Sequence, residues 1–141
     1  MRFLVSTLLA LCFTATAVAS ELSSPAPDGA RVYFITPSDG DTVSSPLTVR
    51  FGLEGMGVAP AGVERDNTGH HHILIDIEVT DLNLAQPLPA TDQVKHFGGG
   101  QTETMLTLPP GEHTLQLLLG NHVHVPHTPP VLSDRITITV K

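Results

Sequence analysis

The feature that most narrows the folds open to this chain is a period of two in its apolar residues. Leu47, Val49, Phe51 and Leu53 alternate with smaller or polar neighbours, and Ile136, Ile138 and Val140 alternate with Thr137 and Thr139. Successive side chains of a strand point to opposite faces, so such runs read as half-buried β-strands. Arg31–Ile35, His70–Val79, Thr102–Leu108 and Glu112–Leu119 read the same way, with a weaker strand expected within Asp81–Lys95. Pro37-Ser38-Asp39-Gly40 and Pro109-Pro110-Gly111 supply turns where Pro and Gly favour them, and no helical period survives beyond a turn or two. The pattern predicts an all-β protein, an immunoglobulin-like β-sandwich of about seven strands. The mature chain has no tryptophan or cysteine pair of the antibody type, so the prediction rests on pattern alone, with another small sandwich or an open barrel as the alternative.

Residues 1–19 read as a cleaved signal peptide. Arg2 gives a positive start, Phe3–Phe13 an apolar stretch, and Ala17-Val18-Ala19 a small-x-small cleavage site. The apolar stretch is too short to span a bilayer, and no later segment reaches the roughly 18 residues a spanning helix needs. The expected address is the periplasm or the exterior. Residues 20–29 are rich in Ser and Pro and read as a flexible leader, and 30–141 as one domain. Cys12 leaves with the signal, so no disulfide framework is available. Removal of Arg2 leaves six basic against fourteen acidic residues, a net charge of −8. Such a surface offers no basic patch for a phosphate backbone, which argues against nucleic acid, and it attracts cations weakly.

Seven of the eight histidines fall in three groups: His70-His71-His72, His96, and His122-Val123-His124-Val125-Pro126-His127. In a sandwich whose strands run up and down in turn, the start of the 70–79 strand, the connection entering the 102–108 strand and the end of the 112–119 strand share one pole. His113 belongs to the other pole and reads as a solvated or hydrogen-bonded surface residue. Parity puts His71 in line with Ile73, Ile75 and Ile77, while His70 and His72 share the opposite face with Leu74 and Asp76. Same-face neighbours stand about 6.5–7 Å apart along a strand, close enough for two imidazoles to converge on one metal. His122 and His124 repeat that spacing on the expected neighbouring strand.

All-imidazole ligation suits Cu(II), Zn(II) or Ni(II), and the missing mature cysteine excludes thiolate sites. Met56 could add a soft thioether, and Asp76, Asp92 and Glu103 are candidates to accept a hydrogen bond from the other N–H of a ligating ring and so orient it. Gly98-Gly99-Gly100 lacks the Lys-Ser/Thr of a phosphate loop and reads instead as backbone freedom. No nucleophile elbow and no H-E-x-x-H motif is present, so no catalytic residue is assigned.

Four segments together resemble a bacterial exported family known as domain-of-unknown-function family 4399. They are Gly57–Gly62, Asn67–His72, His96–Glu103 and His124–Pro130. The resemblance covers roughly Gly29 to Lys141 and implies a small single-domain periplasmic protein. It brings no activity with it. Its shared histidines fall on His70, His71, His72, His96, His124 and His127, leaving His122 outside. The leading expectation is therefore a periplasmic copper- or zinc-binding protein for storage, delivery or tolerance, not primarily an enzyme, and one that a periplasmic protein partner could serve. The alternatives are a structural or interaction module of the cell envelope and a metal-dependent oxidoreductase.

Overall fold

A computed structural model describes residues 22–141 of the chain, and the expected signal peptide lies outside the described residues. The strands are β1 (Arg31–Thr36), β2 (Thr42–Val43), β3 (Leu47–Glu54), β4 (Gly57–Val58), β5 (Thr68–Ile75), β6 (Val94–His96), β7 (Glu103–Leu106), β8 (Gly111–Gly120) and β9 (Ile136–Val140). They form two sheets, one ordered β1-β3-β7 and the other β2-β9-β8-β5-β4, with β6 also paired to β5. This is the immunoglobulin-like sandwich expected from the alternating runs, with the two-residue strands β2 and β4 added at its margins. Among the described residues no helix is long and apolar enough to cross a membrane.

Alternation places the inward residues in one inter-sheet core. Val49 and Phe51 of β3 meet Ile73 of β5, Leu115, Leu117 and Leu119 of β8, and Ile138 of β9, all fully buried. Burying such a side chain is worth about 1.5–3 kcal/mol, so these few residues supply much of the stability. The larger sheet is covered on its outer face as well. Leu74, Leu88, Val94 and Leu118 form a second apolar cluster, packed by Ile77, Val79, Leu82, Leu84 and Leu132. The long connections 76–93 and 121–135 thus roof the outer face of β5 and β8. That is why Leu117-Leu118-Leu119 runs apolar without alternating: neither face meets water.

Three expectations are corrected. The strand from His70 stops at Ile75, where Asp76 adopts a left-handed φ of 53°, and Val79–Asp81 is a 3₁₀ turn. His96 sits not in a loop but on β6, in register opposite His72. Residues of the expected leader lie against the domain, with Ala26 N donating to Thr128 O and Thr128 N to Ser24 O.

Asp76 is also far from the histidine face it was expected to serve. Its carboxylate accepts hydrogen bonds from the Thr114 amide and from His113 Nδ1, at 2.8 and 2.7 Å. His113 Nε2 lies 2.8 Å from the carbonyl of Pro109. Both partners can only accept, so both ring nitrogens donate, and His113 is held as an imidazolium. Its pKa is raised, first by the hydrogen bond to Asp76. The buried His113 is therefore a charged brace between β5 and β8, not a solvated surface residue. A raised folded pKa means this stabilisation is complete below the unfolded value of about 6.5 and is lost as pH rises through the folded value. Asp76→Asn is expected to cost about 1 kcal/mol at pH 6, allowing for solvent screening at Asp76, and less at pH 9. Urea unfolding of both proteins at the two pH values measures it. An equal cost at both would show that the brace is uncharged.

Candidate metal centre

The centre grows from the pairing of β5 with β8 and β6. Residues 70 and 72 project from the outer face of β5, with His70 opposite Gly120 and His72 opposite both Leu118 on β8 and His96 on β6. His124 follows β8 in a turn and reaches back over the same face. His70 Nε2 lies 2.9 Å from His124 Nδ1, and His72 Nε2 lies 3.4 Å from the same atom. Each of the three residues offers a nitrogen, and these atoms all lie within 4.8 Å of one another. Two nitrogens bound to one tetrahedral zinc stand about 3.3 Å apart, given bonds near 2.0–2.1 Å, so the spacing is of the right order for a shared ion.

Each ring position has a local cause. Gly120 ends β8 beneath His72, and a Cβ there would stand 2.6 Å from His72 Cε1; only glycine leaves room for the ring. His124 adopts a left-handed φ of 65°. Asn121 holds that turn: its Oδ1 accepts the amides of Val123 and Val125, and its Nδ2 donates to Leu22 O and Ser24 Oγ. The amide of Leu88 donates to the His124 carbonyl, which fastens the roof to the turn. Pro89, next to it, accepts a hydrogen bond from His96 Nε2 at 3.1 Å.

His70 and His72 are fully excluded from water, while His124 and His96 are half-buried. Burial, reinforced by repulsion from His124 and His96, lowers the His70 pKa to about 4. Burial, with repulsion from His70, His96 and His124, lowers that of His72 to about 2. His124 is lowered by burial and by His96. At neutral pH these imidazoles are neutral and carry the lone pairs that a metal needs. The Nδ1 atoms of His70 and His72 are buried and have no hydrogen-bond partner among the described residues.

The remaining candidates stand apart from this centre. His71 points the other way, into the inter-sheet core, with its ring 4.6 Å from that of Phe51. Its two nitrogens make no hydrogen bond of normal geometry, the Gly52 backbone being only a weak neighbour, and burial lowers its pKa to about 4. His127 is buried, its Nε2 3.1 Å from the carbonyl of Thr68 and its Nδ1 3.5 Å from that of Leu119. Burial keeps it neutral, so it donates from one nitrogen, and the shorter contact to Thr68 marks which. His122 is half-buried and makes no ring contact with the cluster, though its carbonyl accepts from Gly62 N. Met56 packs against the inter-sheet core. Glu103 pairs with Arg50, and Asp92 with Lys95. Gly120, Asn121 and the Pro89 carbonyl were not singled out by sequence reasoning. A Gly-Asn pair just before a histidine run, where turns are favoured, was the available signal for the first two.

The fold and site define an immunoglobulin-like sandwich carrying a buried histidine cluster on the outer face of its larger sheet. The chain belongs to the family described as domain of unknown function (DUF4399), whose profile matches residues 49–141. No curated protein matches it. Among solved structures, the endo-β-1,4-mannanase from Thermotoga petrophila is similar at 20% identity with a TM-score of 0.46, over 79% of this chain. The chain spans 20% of that enzyme's chain.

Two substitutions test the construction. Gly120→Ala is expected to destabilise the fold by about 1–3 kcal/mol through overpacking against His72. Asn121→Ala is expected to cost about 2 kcal/mol, because the buried amide of Val125 and the part-buried amide of Val123 lose their acceptor. Chemical unfolding measures both. A neutral result at either position would show that the turn or the ring is held by something else.

Proposed function

We propose that this protein binds one transition-metal ion, copper or zinc, through His70, His72 and His124, and serves the periplasm in metal storage, delivery or tolerance. The observation that carries the reading is the convergence of three imidazole nitrogens within 4.8 Å, two of them on fully buried side chains. Buried polar groups normally find hydrogen-bond partners. Here three rings instead crowd one another, and each neutral imidazole has a single N–H to offer its neighbours. A cation at the shared point would use the lone pairs together and relieve that competition.

The chemistry agrees with the rest of the chain. Imidazole is a ligand for copper and zinc, and the described residues bring no carboxylate into the trio, which disfavours magnesium or calcium. The acidic surface draws cations toward the domain. The periplasmic address rests on the residues 1–19 alone. A partner that takes or supplies metal has a rim to meet: Val58 on β4 and Val63 and Val123 on the loops beside the cluster are exposed apolar residues. Those loops are joined by Gly62 N donating to His122 O and Ala61 N to Gly98 O.

Titration of the mature protein with Cu(II) and with Zn(II), followed by calorimetry, is expected to give one tight equivalent. Combined replacement of His70, His72 and His124 by Ala should abolish it, while His122→Ala should leave it unchanged. Binding by the triple variant as tight as by the native protein would defeat the reading.

A further inference from the structure

The trio does not stand alone. Ring centroids of His70 and His72 are 4.7 Å apart, those of His72 and His96 4.4 Å, those of His96 and His124 4.7 Å, and those of His124 and His70 4.7 Å. The four imidazoles close a circuit in which each touches the next. Across it, His72 and His124 are farther apart, at 5.6 Å.

We propose that His96 is a fourth donor, through Nδ1, and that the resulting four-imidazole centre takes Cu(II) in preference to Zn(II). The proposal rests on the metal-binding reading above and names both its missing ligand and its ion. Three observations support it. First, Pro89 O can only accept, so His96 carries its proton on Nε2 and its lone pair on Nδ1. A backbone carbonyl that fixes the tautomer of a ligating histidine in this way is the usual supporting contact of a metal site. Second, His96 is fixed opposite His72 by strand pairing, so it belongs to the same face by register and not by chance loop placement. Third, His96 is half-buried on the short strand β6, whereas His70 and His72 are fully buried on β5. The three atoms within 4.8 Å do not include a His96 nitrogen, so Nδ1 must swing inward as the ion arrives. Of the two strand-borne partners, His96 and His72, only His96 has the freedom to do so.

The ion follows from the donor set, which is all imidazole. Copper(II) prefers tetragonal nitrogen ligation and stands above nickel and zinc in intrinsic affinity. The half-buried His96 and His124 also mark the side from which an ion reaches the two buried rings.

The experiment is electron paramagnetic resonance of the mature protein loaded with one equivalent of Cu(II), compared with His96→Ala and His96→Asn. The native protein is expected to give an axial signal with four nitrogen couplings that persists in a hundredfold excess of Zn(II). Both variants should still bind one Cu(II), more weakly by at least about tenfold, with three nitrogen couplings. The paired variants separate loss of a ligand from misfolding, since a thermal melt shows which of them is folded. A native spectrum unchanged in both variants would overturn the assignment of His96 and leave the trio standing. Displacement of copper by zinc would overturn the choice of ion. Failure of the native protein to bind Cu(II) at all would remove the metal reading on which both rest.

Discussion

The structure depends on strand β5 being buried on both faces. Ordinarily an antiparallel strand offers one face to the core and the other to water, and its polar residues collect on the wet side. Here the inward face presents His71, Ile73 and Ile75 to the second sheet, and the outward face presents His70, His72 and Leu74 to a roof of loops. Polar rings on the outward face are therefore shut away from water without leaving the strand that holds them. Burial keeps them neutral, and strand geometry keeps them aimed.

That roof is what the long connections are for. The segment 76–93 places Leu88 and Pro89 over the cluster, and the segment after β8 returns His124 to it through the turn held by Asn121. Apolar residues from both connections pack on Leu74 and Leu118, so closing the site and stabilising the sheet are one act. At the other end of β5 the imidazolium of His113 braces Asp76 to β8. Two histidine environments at the two ends of one strand thus carry opposite charge states: neutral where burial dominates, and protonated where a carboxylate accepts the proton.

Much of the architecture was legible in the chain. Period-two runs located all the longer strands, and parity separated His71 from His70 and His72, because side-chain direction along a strand is a local property. Topology then grouped His96 and His124 with them. What parity could not weigh was His127, close in sequence to His124 but committed to the carbonyl of Thr68. Nor could it find Asp76 its partner, since the strand ends four residues earlier than the expected run and turns the carboxylate toward His113.

By itself the sequence determined the longer strands, the faces that His70, His71 and His72 occupy, and the presence of imidazole without cysteine among residues 22–141. These follow from alternation and composition, which need no knowledge of what lies opposite. Only the tertiary structure decided which rings meet. That depended on the register of β5 against β6 and β8, on the absent side chain of Gly120, and on a left-handed turn at His124. Register and close approach are relations between distant segments, and a linear pattern records each segment's faces but not its neighbours.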